Sequence, residues 1–378
     1  MTLNFLFGSP AFLSLALLLW QWLAGRRFPL HRRSVDASFA PAVTLLKPLK
    51  GCDSSTEACL RSWLAQDYRG PTQILFGVGA DDDPACAVVR KLLREFPDRD
   101  AELVVCGALL GANAKVSKLA ELQTLAKHQV LVVSDADVRV PRDLLANAVQ
   151  PLVQADIGLV NCFYRLANPS TPAMQWEAIA VNADFWSQVL QAQQLRPLAF
   201  ALGAVMLVRR PQLEGIGGFR ALVDCLADDY QLGNRIVRHG HRIALCPVVV
   251  ECWDPPMNAR AVWKHQLRWA RTIRVCQPVP YFFSILGNPT LWPLLWLAAS
   301  PSNGSFTAFI AALCLRMCAA LNLQQRLTRS LAHATWVWLA PLKDLLHTVV
   351  WLGAFTGNRI EWRGRRFRLC RDGTLVKA

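Results

Sequence analysis

Val130-Leu131-Val132-Val133-Ser134-Asp135-Ala136-Asp137-Val138-Arg139-Val140-Pro141 runs four aliphatic residues straight into an Asp-x-Asp. A short unbroken apolar run bounded by polar residues reads as a strand buried on both faces, and such strands belong to parallel sheets covered by helices. Ligands of an open parallel sheet lie outside the carboxyl ends of its strands. Asp135 and Asp137 fall at that edge. Taken alone, an Asp-x-Asp is a solvated loop; the strand before it and a helix opening at Pro141 give it a setting.

The same alternation extends outward in both directions. Short apolar runs at 43–46, 73–78, 103–106, 158–163, 204–208 and 242–250 predict further strands. Helical patterns at 56–66, 84–96, 114–127, 141–154, 176–193 and 228–239 lie between them, which is the order of βαβ units around a mostly parallel sheet. The expected fold class is α/β.

Both ends are more apolar than the middle. Leu3 to Leu23 carries no charge, enough for a helix to cross a bilayer. No Lys or Arg precedes this run, whereas Arg26, Arg27, Arg32 and Arg33 follow it, so a retained anchor with a cytoplasmic domain behind it fits better than a cleaved signal. Tyr281 to Ala299 and Phe306 to Leu323 are two further candidate spans, separated by the turn-like Ser300-Pro301-Ser302-Asn303-Gly304. Leu331 to Phe355 holds Lys343, Asp344 and His347 mid-run, costly in lipid unless they face protein or water; an interfacial or re-entrant helix at 341–355 is expected, leaving the tail cytoplasmic. The domain plan is therefore a membrane helix at 1–25, a cytoplasmic domain at 40–277, membrane and interfacial helices at 278–356 and a basic tail at 357–378.

The net charge of +14 sits largely beside apolar segments, at Arg26 to Arg33 and at Arg359, Arg363, Arg365, Arg366, Arg368 and Arg371. Anionic headgroups are the partners that pattern suits, and no nucleic-acid-binding signature accompanies it. Twelve cysteines without metal-ligand spacing argue against a structural zinc site or a secreted disulfide framework.

Three acidic clusters each follow a predicted strand or open a helix. Asp135 and Asp137 can seat a hard divalent cation against a diphosphate. Asp81-Asp82-Asp83-Pro84 reads in isolation as a polar helix start. In Asp228-Asp229, one carboxylate can cap or orient while the other, Asp229, projects as a general base toward an acceptor hydroxyl. His265-Gln266-Leu267-Arg268-Trp269-Ala270-Arg271 is a basic amphipathic helix in isolation, with Arg268 as a cation suited to phosphate.

In this order the motifs resemble the membrane family-2 type glycosyltransferases of GT-A fold, and more narrowly the ceramide glucosyltransferase group with its bacterial hopanoid-biosynthesis relatives. The likeness runs from Leu45-Leu46-Lys47-Pro48-Leu49-Lys50-Gly51 to Trp362-Arg363-Gly364-Arg365-Arg366-Phe367-Arg368. It implies that Asp83 meets the nucleotide base, that Asp135 and Asp137 bind diphosphate and metal, and that Asp229 is the base. It likewise implies that Asn113 and Lys115 of Asn113-Ala114-Lys115-Val116 face the donor, with Arg268 and Trp269 closing a (Gln/Arg)-x-x-Arg-Trp motif. His265 departs from that motif's first position. The implied reaction is inverting transfer from a UDP-sugar to a membrane lipid with Mg²⁺ or Mn²⁺ assisting, the acceptor guided in by the 176–193 helix. UDP-N-acetylglucosamine and a hopanoid are the preferred pair, with UDP-glucose and ceramide as the alternative. A non-catalytic scaffold on the same fold is the reading from another class.

Overall fold

The computed structural model describes residues 2–34, 38–362, 365–370 and 372–377. At its centre is an eight-stranded sheet of β1 (Val43–Pro48), β2 (Thr72–Val78), β3 (Asp100–Val105), β4 (Val130–Ser134), β5 (Val138–Arg139), β6 (Ile157–Leu166), β7 (Val205–Arg209) and β8 (Arg242–Cys252). The spatial order is β3-β2-β1-β4-β7-β6-β8-β5. β1 is parallel to β2 and β4, β2 to β3 and β6 to β8, while β7 and β5 run against their neighbours. The chain reverses its direction of travel across the sheet between β1 and β4, the crevice where open α/β sheets hold ligands.

β1 and β4 are buried along their whole length, as their aliphatic runs require. On one face, Leu60 and Trp63 of the Thr56–Leu64 helix and Val89 and Leu92 of the Ala85–Glu95 helix close a core. On the other, Val116, Leu119 and Leu122 join Phe163 and Trp186. Ala24 and Leu327 complete that second core; they belong to the helices Thr2–Arg27 and Asn303–Thr328, so the apolar ends of the chain pack on the sheet domain.

Among the described residues, those two helices are long and apolar enough to cross a membrane. The expected span at 281–299 is a broken one: the helices Pro278–Gly287 and Leu291–Ala299, bent by 56°, are only together long and apolar enough to cross a membrane. The cause is local. Pro289 disfavours helical backbone at Asn288, and the Asn288 side chain accepts from Thr290 N and Leu291 N at 3.2 and 2.9 Å, starting the second helix afresh.

Two other expectations need correcting. Pro141 does not open a helix; the helix there is Leu144–Ala148, followed by a 3-10 turn at Gln150–Val153. The 176–193 helix begins earlier, at Pro172, and is interrupted by a π-helical segment, Ala180–Phe185. Within the basic tail, β9 (Arg359–Trp362), β10 (Arg365–Leu369) and β11 (Leu375–Lys377) form an antiparallel sheet. Its apolar side, with Ile360, Phe367, Leu369 and Leu375, packs on Leu226. Arg363, Gly364 and Arg371 lie outside the described residues.

Lys343 and Asp344, the charges expected to need protein or water, lie on the helix Leu339–Ala354 and are buried. Arg316 links Asp344 and Asp184 with charge-assisted bonds of 2.8–3.0 Å, and Lys343 also contacts both carboxylates.

Candidate active site

Asn113 sets the first part of the site. Its side chain accepts from Lys115 N and Val116 N at 3.0 and 3.2 Å, capping the Ala114–Leu125 helix, and donates to Cys225 O at 2.8 Å. A cap of this kind fixes the first helical turn. Lys115 stands in that turn and lies 2.7 Å from Asp135 Oδ1 and 3.2 Å from Asp228 Oδ2. One ammonium thus joins the residue after β4 to the acidic pair that opens the Asp228–Arg238 helix. Burial works against the Lys115 charge, yet Asp135 and Asp228 hold its pKa above the ordinary lysine value.

Asp228 does not cap its helix, contrary to one expected role; it makes no side-chain cap bond and turns instead to Lys115. Asp229 packs over Gly203, where an added Cβ would stand 2.9 Å from Oδ2. The neighbouring Ala204 O accepts from Asp135 N at 3.4 Å, a second tie between the two acidic stretches. Burial and then the adjacent Asp228 push the Asp229 carboxyl up to about 6, against the pull of Lys115.

Asp137 is pushed up to about 7 by burial, by Asp135 and by Asp254. Lys47, at the end of β1, is driven down to about 8 by burial and donates to Ser134 Oγ at 3.1 Å and to Asp135 O. Among the described residues no group of three or more His, Cys, Asp or Glu is placed to hold a cation unaided. Two neighbouring carboxylates whose negative charges oppose one another nevertheless suit a Mg²⁺ or Mn²⁺ that completes its shell from phosphate oxygens and water.

Asp83 stands apart from this cluster. Its carboxylate accepts from Gly51 N at 2.9 Å, in the loop after β1, and from Ala85 N at 2.9 Å at the head of the next helix. Gly51 has φ +71°, a backbone state that favours glycine. Asp83 thereby shapes the carboxyl edge beside β1.

The Ala259–Cys276 helix divides its motif between two faces. His265 and Trp269 share one, ring centroids 4.4 Å apart. His265 Nδ1 lies 2.8 Å from Glu177 Oε1 but too oblique for a hydrogen bond, while Gln266 Nε2 donates to the same oxygen at 2.8 Å. Arg268 is on the other face, lining a cleft against β9 and β10. Lys47, Glu177, Gly203 and Asp254 were missed as site residues. A lysine inside the aliphatic run of β1 was the one legible signal; the others announce themselves only through contacts.

The model of glycosyl transferase family 21 matches residues 7–375. Ceramide glucosyltransferase 3 of Caenorhabditis elegans is 20% identical over 94% of this chain and 78% of its own length. The ceramide glucosyltransferase of Candida albicans is 32% identical over a shorter stretch, 31% of this chain and 23% of that protein. The beta-monoglucosyldiacylglycerol synthase of Synechocystis is 24% identical over 62% of this chain and 49% of its own. In fold, the chain is similar to a mannosyltransferase from Pyrobaculum calidifontis solved with GDP-Man and Mn²⁺, with a TM-score of 0.51 and 23% identity over 91% of this chain and 99% of that one.

Proposed function

The chain belongs to glycosyl transferase family 21, and on that premise we propose that it is an inverting enzyme that moves a sugar from a UDP-sugar to a hydroxyl of a membrane lipid. The observation that carries this reading is the meeting of Asp135, Asp228 and Asp229 around Lys115 and Gly203. Asp229 is the general base: it takes the proton of the acceptor hydroxyl as that oxygen bonds to the anomeric carbon and the bond to UDP breaks. Lys115 and Asn113 hold the acidic strand ends in place and present a cation to the donor phosphates. Asp135 and Asp137 would hold a divalent cation, which offsets charge on the departing diphosphate. Asp83 frames the base-binding edge, and Trp269 and His265 border the site from the Ala259–Cys276 helix, whose opposite face carries Arg268.

The two candidate spanning helices support a membrane location. The arginines after the first span favour a cytoplasmic sheet domain, and a bacterial inner membrane is the location in this reading. The preferred pair is UDP-N-acetylglucosamine with a polyhydroxylated hopanoid. UDP-glucose with ceramide is the second reading, favoured by the names of the relatives above. Purified full-length protein is given each donor with each lipid, and UDP release and product mass are recorded with and without Mn²⁺. Metal-dependent glycolipid formation is expected from one pair, and UDP release in every mixture irrespective of lipid would refute lipid transfer. Asp229→Asn is expected to keep donor binding and lower transfer by about 10²–10⁴-fold; turnover at the native rate would remove Asp229 from its role.

A further inference from the structure

The cleft between the Ala259–Cys276 helix and the C-terminal sheet has a volume of about 690 Å³ and is lined by seven basic side chains against one acid, Glu361. Glu361 is already engaged, 2.9 Å from Lys264. The alternation of β10 explains the imbalance: Phe367 and Leu369 point into the molecule and Arg366 and Arg368 are left exposed.

Arg271, which lines the cleft, and Arg274, three residues on along the same helix, have only uncharged hydrogen-bond partners among the described residues. Arg271 donates to Arg359 O and Thr356 Oγ1, and Arg274 donates to Asn358 Oδ1. Nε of each is buried without a hydrogen-bond acceptor among the described residues. Burial and the neighbouring Arg274 together lower the Arg271 pKa, the mark of a cation lacking compensation. Planar guanidiniums arranged this way suit the bidentate recognition of a phosphate.

The surroundings say which phosphate. Phe355 lies directly before Thr356 and under the Arg274 guanidinium, 5.6 Å from ring centroid to Cζ. It packs with Phe282 and Trp351. Val279, Phe282, Phe283, Leu352 and Phe355 are all exposed, the first three on the short helix Pro278–Phe283 and the last two at the C-terminal end of the helix Leu339–Ala354. An apolar shoulder beside a cationic cleft matches the boundary between acyl chains and headgroups.

We propose that this cleft is a binding site for the phosphate headgroup of an anionic phospholipid, held by Arg271, Arg359 and Arg368, with the lipid's chains lying against Phe282, Leu352 and Phe355. The site is separate from the chemistry assigned above and seats the C-terminal sheet on the membrane.

Full-length protein is reconstituted in phosphatidylcholine bilayers containing spin-labelled phosphatidylglycerol or spin-labelled phosphatidylcholine, and the immobilised fraction of each label is compared. The native protein is expected to select phosphatidylglycerol. Arg271→Gln with Arg368→Gln should reduce that selectivity by about fivefold for each charge removed. Arg271→Lys with Arg368→Lys should restore part of it, which a folding defect would not. Equal immobilisation of the two labels by the native protein overturns the proposal without reference to any variant. Displacement of the phosphatidylglycerol label by millimolar UDP or pyrophosphate would assign the cleft to the donor and also overturn it.

Discussion

Asp229 is held between opposing demands. Burial and Asp228 favour its protonated form, while Lys115 favours the carboxylate, and the balance lies at about 6. A base must be deprotonated to act, so kcat/KM is expected to rise with pH through about 6 and level off above it. A rate that falls over that interval would exclude this assignment. Gly203 is the complementary test. A methyl group at Gly203 would crowd Asp229 Oδ2, so Gly203→Ala is expected to lower kcat by about tenfold or more with donor affinity retained, since small misplacements of a reacting group are expensive. Kinetics and donor titration on the same preparation separate the two effects. The acidic residues themselves could be read from the sequence because each follows an aliphatic run or opens a helix. Their partners could not: Lys115 meets Asp228 across more than a hundred positions, and nothing local encodes that contact.

Among the elements, the long buried strands were the most legible. β4 appears where its four aliphatic residues put it, and β1, β2 and β8 differ from expectation only at their ends. The structure departs from periodicity where a side chain or a proline overrides it. Asn288-Pro289 bends an apolar run that hydropathy alone treats as straight, and Ala180–Phe185 inserts a π-helical segment into an otherwise α-helical stretch. That segment carries Asp184, which meets Arg316 and Lys343 from two other helices. Arg316 is 1% exposed. Replacing it with Met leaves Asp184 and Asp344 with only Lys343 between them, and breaking a buried ion network costs about 3–5 kcal/mol. Arg316→Met is therefore expected to lower the unfolding temperature in detergent markedly, and an unchanged melt would mean the network contributes little.

Across the whole molecule, the two ends of the chain converge on the sheet domain. Ala24 and Leu327 share its second core, and the C-terminal sheet grips the loop before the acidic pair. Leu375 N donates to Asp224 O at 2.7 Å, Leu226 N to Gly373 O at 3.3 Å, and Cys225 forms a bridge with Thr374. From the other side, Asn113 N donates to Val223 O at 2.7 Å. Removal of residues 358–378 is expected to abolish transfer while the remaining protein still inserts in membranes and binds donor. Full activity in that truncation would show that the loop holds its shape alone. The tail's charge was legible from sequence; its bracing role was not, because a strand pair depends on a partner more than a hundred residues away.

The strand formed by Leu375–Lys377 is made after both candidate spanning helices and after the acidic stretch it braces. If the loop leading into Asp229 takes its working shape only when that strand arrives, a half-made copy cannot consume nucleotide-sugar. Catalysis then waits until both hydrophobic helices have emerged and the brace behind them has folded.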